Sequence, residues 1–344
     1  MEKMKIGIIG ATGYVGVELI RLLLNHPYVE ISSLGSNSFI DENINNIYAN
    51  LGEKFNVKCI ENDKVIDNCD FLFTALPHGV SEKFVMEAVK KGKKVVDLGA
   101  DFRLKDESQL KKWYNVEFLD KNLHENSVYG LCEIYRTKIK TATVVANPGC
   151  YVTSISLPLM ALLKEKLIKK ENIIADSKSG VTGAGRGLSL TSHYTEINEN
   201  MAPYKIANHR HTPEIEQNLS EAANDKVKIV FTPILIPINR GILSTIYCEK
   251  KEGVSLEEIH EKLQNFYKEE DFVEVLPLGK ISTIKHVRLS NKCVISLHEN
   301  NEKLIICSVI DNMMKGSAGQ AIQNMNIMCN FEEDAGLSKV ATAF

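Results

Sequence analysis

Gly7-Ile8-Ile9-Gly10-Ala11-Thr12-Gly13-Tyr14-Val15-Gly16 stands between an apolar run at 5–9 and a periodic segment at 14–25. That order reads as strand, tight turn and helix. His26-Pro27 ends the helix. Glycines in such a turn let the backbone approach a pyrophosphate, which rests on the positive end of the helix. Gly10, Thr12, Gly13, Tyr14, Val15 and Gly16 are therefore candidate cofactor contacts. The region after the second strand reads Leu34-Gly35-Ser36-Asn37-Ser38. No carboxylate stands there to repel a 2′-phosphate, and the Ser36 and Ser38 hydroxyls are placed to bond one, so NADP is the expected cofactor.

Working outward, 29–34, 70–76, 94–98 and 143–146 read as strands and 81–91 as a helix. Continuous apolar strands alternating with helices imply a parallel sheet covered on both faces. The polar, Asn-rich stretch 36–56 reads as a loop with a short helix. After Asn147 the texture changes. A helix is expected over 153–167, then strands around 172–179, 226–237, 243–250, 281–288, 292–297 and 303–310, interrupted by a helix at 256–269. This second part reads as α+β with a largely antiparallel sheet. A last helix is expected over 316–328. The fold class is thus α/β: a Rossmann-type nucleotide-binding domain followed by an α+β domain.

The bulk properties narrow the class. The 344 residues suggest two domains. Apolar residues make up 44% and charged residues 25%, as in an ordinary globular protein, and the net charge of −3 gives no reason to expect nucleic acid or an anionic membrane as partner. The first residues carry no signal-peptide pattern, and no run approaches a membrane span. A cytoplasmic location is expected. None of the eight cysteines forms a C-x-x-C pair, so a zinc ribbon is not expected and the default is eight reduced thiols.

Cys150 stands apart from the other seven. Ala146-Asn147-Pro148-Gly149-Cys150-Tyr151-Val152-Thr153 puts it at a strand-to-helix junction. A thiol at a helix N-terminus feels the positive end of the dipole, which favours the thiolate. Backbone N–H groups of the same turn suit an oxyanion. A cysteine nucleophile beside a nicotinamide site points to an acyl thioester reduced by hydride to an aldehyde, or the reverse. Its base is sought in His209-Arg210-His211-Thr212-Pro213-Glu214. The reading leans to His209 as base and His211 as substrate contact, without settling which histidine acts, and gives Glu214 an orienting role. A His-x-His metal pair is the rival; no third ligand stands out, the chemistry needs no metal, and none is expected.

Anion contacts are sought elsewhere. Lys178-Ser179-Gly180-Val181-Thr182-Gly183-Ala184-Gly185-Arg186-Gly187 is a glycine-rich loop suited to a phosphate or to lining the nicotinamide. Ser179, Gly180 and Gly183 are its cofactor candidates, and Arg186 is a substrate candidate. Arg210 and Arg240 are candidate carboxylate or phosphate clamps, with structural ion pairs as the other reading. Asn312, in Asp311-Asn312-Met313-Met314-Lys315-Gly316, is a candidate partner for the nicotinamide amide.

Together these residues resemble the N-acetyl-γ-glutamyl-phosphate reductases of arginine biosynthesis. The resemblance runs through 10–16, Ala75-Leu76-Pro77-His78-Gly79, 97–104, 128–131, 146–153, 178–186, 209–215, 231–233, 240–241 and 311–324. It implies a fold like glyceraldehyde-3-phosphate and aspartate-semialdehyde dehydrogenases, NADPH as hydride donor and N-acetylglutamyl phosphate as small-molecule substrate. Cys150 takes the place of the nucleophile, and 209–214 supply acid, base and substrate contacts; Asn147 joins the substrate candidates. The resemblance further implies domains at 1–148 and 149–312, with 313–344 returning to the first, and a homo-oligomer, dimer or tetramer. Ile234 and Leu235 stand where the family has His and an apolar residue, and Cys132 where Pro is common. Two rivals are a reductase of a carrier-bound aminoadipyl phosphate, as in some lysine pathways, and a non-catalytic NADP sensor on the same fold.

Overall fold

The computed structural model describes residues 2–343. The chain divides into two compact units: one runs to Pro148 and includes Ser317–Leu337, the other holds Gly149–Gly316 and the residues from Ser338 onward. Residues 313–316 and 338–343 lie with the second unit.

The first unit contains β1 (Met4–Ile9), β2 (Val29–Gly35), β3 (Cys59–Ile60), β4 (Phe71–Thr74), β5 (Lys94–Asp97), β6 (Val128–Tyr129) and β7 (Val144–Ala146). Their order is β3-β2-β1-β4-β5-β7-β6, with every pair parallel. Ile6, Ile8, Phe71, Leu72, Phe73, Val95 and Val96 are buried in consecutive runs, as a sheet covered on both faces requires. The helix Gly319–Cys329 carries four buried amides, Gln320, Gln323, Asn324 and Asn326. They find partners in this unit: Gln320 and Asn324 donate to the Gly130 carbonyl at 2.8 and 2.9 Å, and Asn326 donates to that of Glu333 at 3.0 Å. These paired amide donors specify one seating of the helix, because a misplaced one would leave them unpaired.

The second unit contains β8 (Ile173–Ser179), β9 (Ala202–Pro203), β10 (Ile229–Leu235), β11 (Ile242–Glu249), β12 (Val273–Val275), β13 (Cys293–Asn300) and β14 (Lys303–Ile310). The order is β12-β13-β14-β11-β8-β10-β9. The β8–β10 and β12–β13 pairs are parallel and the rest antiparallel. Burial alternates along β8, β10 and β11, so one face of the sheet meets the helices. The helix Cys150–Lys164 is buried from Tyr151 through Leu163. A hydroxyl chain ties it to the sheet, with Ser154 and Ser177 each 2.7 Å from Ser244.

One expected strand is absent. Residues 281–288 form a short 3-10 turn, Ile284–His286, closed by a reciprocal bond between Thr283 and His286. Ser282 is held by Ser296 at 3.1 Å and by the Cys307 carbonyl at 2.8 Å, which fixes the segment as a loop. Its β-branched residues imitate a strand, but local capping and these tertiary bonds prevail.

Candidate active site

In the first unit the glycine turn forms as expected. Gly10 has φ +82°, and a side chain there would strike the Ala75 carbonyl, whose carbon lies within 2.9 Å of the added Cβ. A side chain on Gly16 would collide with the Gly10 carbonyl and lie 2.7 Å from Ala11. These two glycines let the turn close. Gly13 caps the helix Tyr14–Leu23 with extended backbone, and the nearest atom to an added Cβ there is 3.5 Å away. The helix has no acidic residue in its first turn. An open cap with its N–H groups at the positive end of a ten-residue helix fits a pyrophosphate.

The turn is tied to the second strand. The N–H groups of Gly10 and Ala11 both donate to the Gly35 carbonyl, at 3.1 and 3.0 Å. The Thr12 and Ser36 hydroxyls lie 3.0 Å apart, and the Tyr48 hydroxyl donates to the Thr12 carbonyl at 3.0 Å. Ser36 is buried, whereas Ser38 is exposed. The first binds the turn together; the second is open to a ligand.

Cys150 opens the fifteen-residue helix Cys150–Lys164, with Gly149 as its cap and no acidic residue in the first turn. It is half-buried. Burial pushes Cys69 and Cys329 up to about 11 and Cys248 up to about 12, so those sulfurs stay protonated thiols at neutral pH. Glu214 is fully buried in the first turn of the helix Thr212–Ala223. Its Oε1 accepts the Gly149 N–H at 3.0 Å. Glu214 thus holds the turn that precedes Cys150. The same bond removes the Gly149 N–H from the oxyanion donors. Replacing Glu214 with alanine is expected to cost about 2 kcal/mol of stability, because a buried N–H loses its acceptor. It should also lower kcat by about 100-fold through misplacement of the turn, as thermal unfolding and steady-state rates will show.

The two histidines have distinct surroundings. His209 is buried, with ring centroids of Tyr151, Tyr204 and Phe231 within 5.6 Å. Its Nδ1 accepts the His211 N–H at 3.1 Å. Burial first, then the charges of Lys205 and Arg210, push its pKa down to about 3. His209 is therefore neutral at physiological pH and acts as a backbone acceptor. His211 is half-buried, and its ring lies directly over Gly149. An added Cβ on Gly149 would collide with His211 Nε2 and stand 2.7 Å from Cε1. The residue before Cys150 must be glycine for that imidazole to approach.

Other candidates are placed as follows. Ser179, Gly180, Gly183 and Asn312 come together: an added Cβ on Gly183 would lie 3.6 Å from Ser179 Oγ and 3.7 Å from Asn312 Nδ2. Asn312 accepts the Gly241 N–H at 2.7 Å and donates to the Thr182 hydroxyl at 2.9 Å. Arg240 pairs with the buried Asp311 at 3.2 Å, the structural alternative foreseen for it. Arg186 is exposed and Arg210 half-buried. Asn147 lies in the first unit, buried, donating to the Ser317 carbonyl and accepting from Asn324, both at 3.1 Å. Tyr151, Tyr204 and Asp311 were missed. Tyr204 donates to the Tyr151 hydroxyl at 3.1 Å across 53 positions of sequence, a partnership with no local signal. Among the described residues no group of three His, Cys, Asp or Glu is placed to hold a metal.

Residues 5–142 match the semialdehyde dehydrogenase NAD binding domain, and 150–312 the semialdehyde dehydrogenase dimerisation domain. An N-acetyl-gamma-glutamyl-phosphate reductase of Clostridium beijerinckii is 57% identical, over 99% of this chain and 100% of its own length. The chain belongs to the N-acetyl-γ-glutamyl-phosphate reductases. A member from Brachyspira hyodysenteriae is 49% identical over 99% of this chain and 100% of its own length. The reductase fold is that of aspartate semialdehyde dehydrogenase II from Vibrio cholerae, with TM-score 0.73, 16% identity, and coverage of 96% of this chain and 99% of that one. A Candida albicans aspartate semialdehyde dehydrogenase solved with NADP gives TM-score 0.68 at 17% identity, covering 95% and 99%. No helix of this reductase, among the described residues, is long and apolar enough to cross a membrane.

Proposed function

We propose that this chain reduces N-acetyl-L-glutamyl 5-phosphate to N-acetyl-L-glutamate 5-semialdehyde and phosphate, with NADPH as hydride donor, as a step of arginine biosynthesis. The observation that carries the reading is Cys150 at a helix start, beside the glycine over which the His211 ring lies. Full-length relatives named as reductases support it and do not favour the carrier-bound or sensor alternatives.

His211 takes the Cys150 proton. The thiolate attacks the acyl carbon, the C–S bond forms, and phosphate leaves with the electrons of the C–O bond. NADPH, when bound, would supply the hydride that reduces the thioester carbon. His211 then returns its proton to the resulting oxyanion. When the thiohemiacetal collapses, His211 takes that proton back, the C–S bond breaks with its electrons returning to the Cys150 sulfur, and the aldehyde departs. Glu214 holds the turn, and His209 holds the His211 backbone. Gly10, Thr12, Gly13, Tyr14, Val15, Gly16 and Ser38 would hold the cofactor; Ser179, Gly180, Gly183 and Asn312 are further cofactor candidates. Arg186 and Arg210 serve the substrate anions; Arg240 acts through Asp311.

A steady-state assay tests the reading: wild-type protein should sustain multiple turnovers of NADP with N-acetylglutamate semialdehyde only when phosphate is present. Sustained turnover without phosphate, or none with it, overturns it. Ser38→Asp is expected to raise KM for NADP at least 10-fold while leaving KM for NAD within about 3-fold, by placing a carboxylate against the 2′-phosphate. The match to a dimerisation domain supports a homo-oligomer, dimer or tetramer, measurable by light scattering. A cytoplasmic location accords with a biosynthetic reductase.

A further inference from the structure

The chain before the helix Gly319–Cys329 makes a π turn over Met314–Ala318. The Gly316 N–H reaches back five residues to the Asp311 carbonyl at 3.0 Å. Asp311 anchors the start of this turn. Its fully buried carboxylate accepts the N–H groups of Met313 at 2.9 Å, Met314 at 3.2 Å and Leu289 at 2.8 Å, besides the Arg240 guanidinium. Single π turns cost helix geometry and recur where a functional group must be approached. Here the widened turn brings Gly316 against the nucleophile. An added Cβ on Gly316 would stand 2.9 Å from Cys150 Cβ, 3.3 Å from Cys150 Cα and 3.2 Å from Ile310 Cδ1. Gly316 is buried, and its φ lies outside the left-handed region, so the missing side chain provides space and not backbone freedom.

We infer that Gly316 is a positioning residue for the reaction: the Asp311-anchored π turn presses its bare backbone against Cys150 and so fixes where the sulfur points. The inference rests on the proposed role of Cys150. A methyl group at 316 meets the Cβ that carries the sulfur and the backbone of the first helical turn, neither of which is the flexible end of a side chain. The sulfur must then rotate or move.

The test compares Gly316→Ala with the double variant Gly316→Ala/Ile310→Val, which removes the Ile310 methyl and leaves the Cys150 contact. Three readouts are needed: thermal unfolding, kcat and KM, and the iodoacetamide alkylation rate of Cys150 followed by peptide mapping. Both variants are expected to fold, to keep KM within about 3-fold, and to lose about 100-fold in kcat, with a lower alkylation rate at Cys150. Wild-type kcat in Gly316→Ala overturns the inference. So does recovery in the double variant, which would make Ile310 crowding the cause. Failure of both to fold makes the glycine a requirement of the fold alone, and contradicts it equally. Alkylation reads the sulfur without substrate, and wild-type turnover reads the reaction, so failure here and failure of the proposed function are told apart.

Discussion

Cys150→Ala is expected to lower kcat by about 10⁴-fold or more, with thermal stability close to that of the wild type. Removing a covalent nucleophile removes the step that converts an acyl phosphate into a reducible thioester, and nothing else at the site replaces it. Cys150 is half-buried at a helix start, so loss of its sulfur opens no large cavity. The other seven cysteines offer no substitute: five of them are buried. Substituting any of those five should instead cost stability and leave kcat near wild type. A Cys150→Ala enzyme that keeps wild-type kcat would remove the covalent mechanism.

The second large effect separates the two histidines. His211→Asn is expected to lower kcat by about 10³-fold, in the range of a lost general acid and base, with little change in stability. His209→Asn is expected to act mainly on the fold, because His209 sits among Tyr151, Tyr204 and Phe231 and accepts the His211 N–H. A pH experiment distinguishes them further. The folded pKa of His209 is near 3, against an ordinary 6.5, so between those values the unfolded chain binds the proton and the folded chain does not. Stability therefore rises with pH across that window, by at most about 1.4 kcal/mol per unit from this group. His209→Asn should flatten that slope, while His211→Asn should leave it in place. If His209→Asn gives the larger loss of kcat with an unchanged fold, the roles are reversed.

The parts of this account legible in sequence are those set by near neighbours. The turn at Gly10, Gly13 and Gly16 is local: its glycines, strand and helix are contiguous, and backbone geometry follows from them. Cys150 announces itself similarly, because Pro148 and Gly149 mark the helix start beside it. The different surroundings of His209 and His211 were not legible. They sit two residues apart, and what distinguishes them is burial under Tyr151, Tyr204 and Phe231, which come from distant parts of the chain. Glu214 was visible as a carboxylate, but its partner, the Gly149 N–H, lies 65 residues away. Gly316 gave no signal, since its purpose is the space beside Cys150, far off in sequence. The false strand at 281–288 arose from Ile281, Thr283, Ile284 and Val287, whose β preference yields to the Thr283–His286 cap.

The most direct test is a single-turnover experiment run in the oxidative direction. Wild-type protein is mixed with N-acetylglutamate semialdehyde and NADP without phosphate, quenched within the first turnover, and mapped by mass spectrometry. The account predicts a burst of one NADPH per subunit and an N-acetylglutamyl adduct on Cys150. Absence of the burst and of any adduct, or an adduct on a different residue, would contradict it.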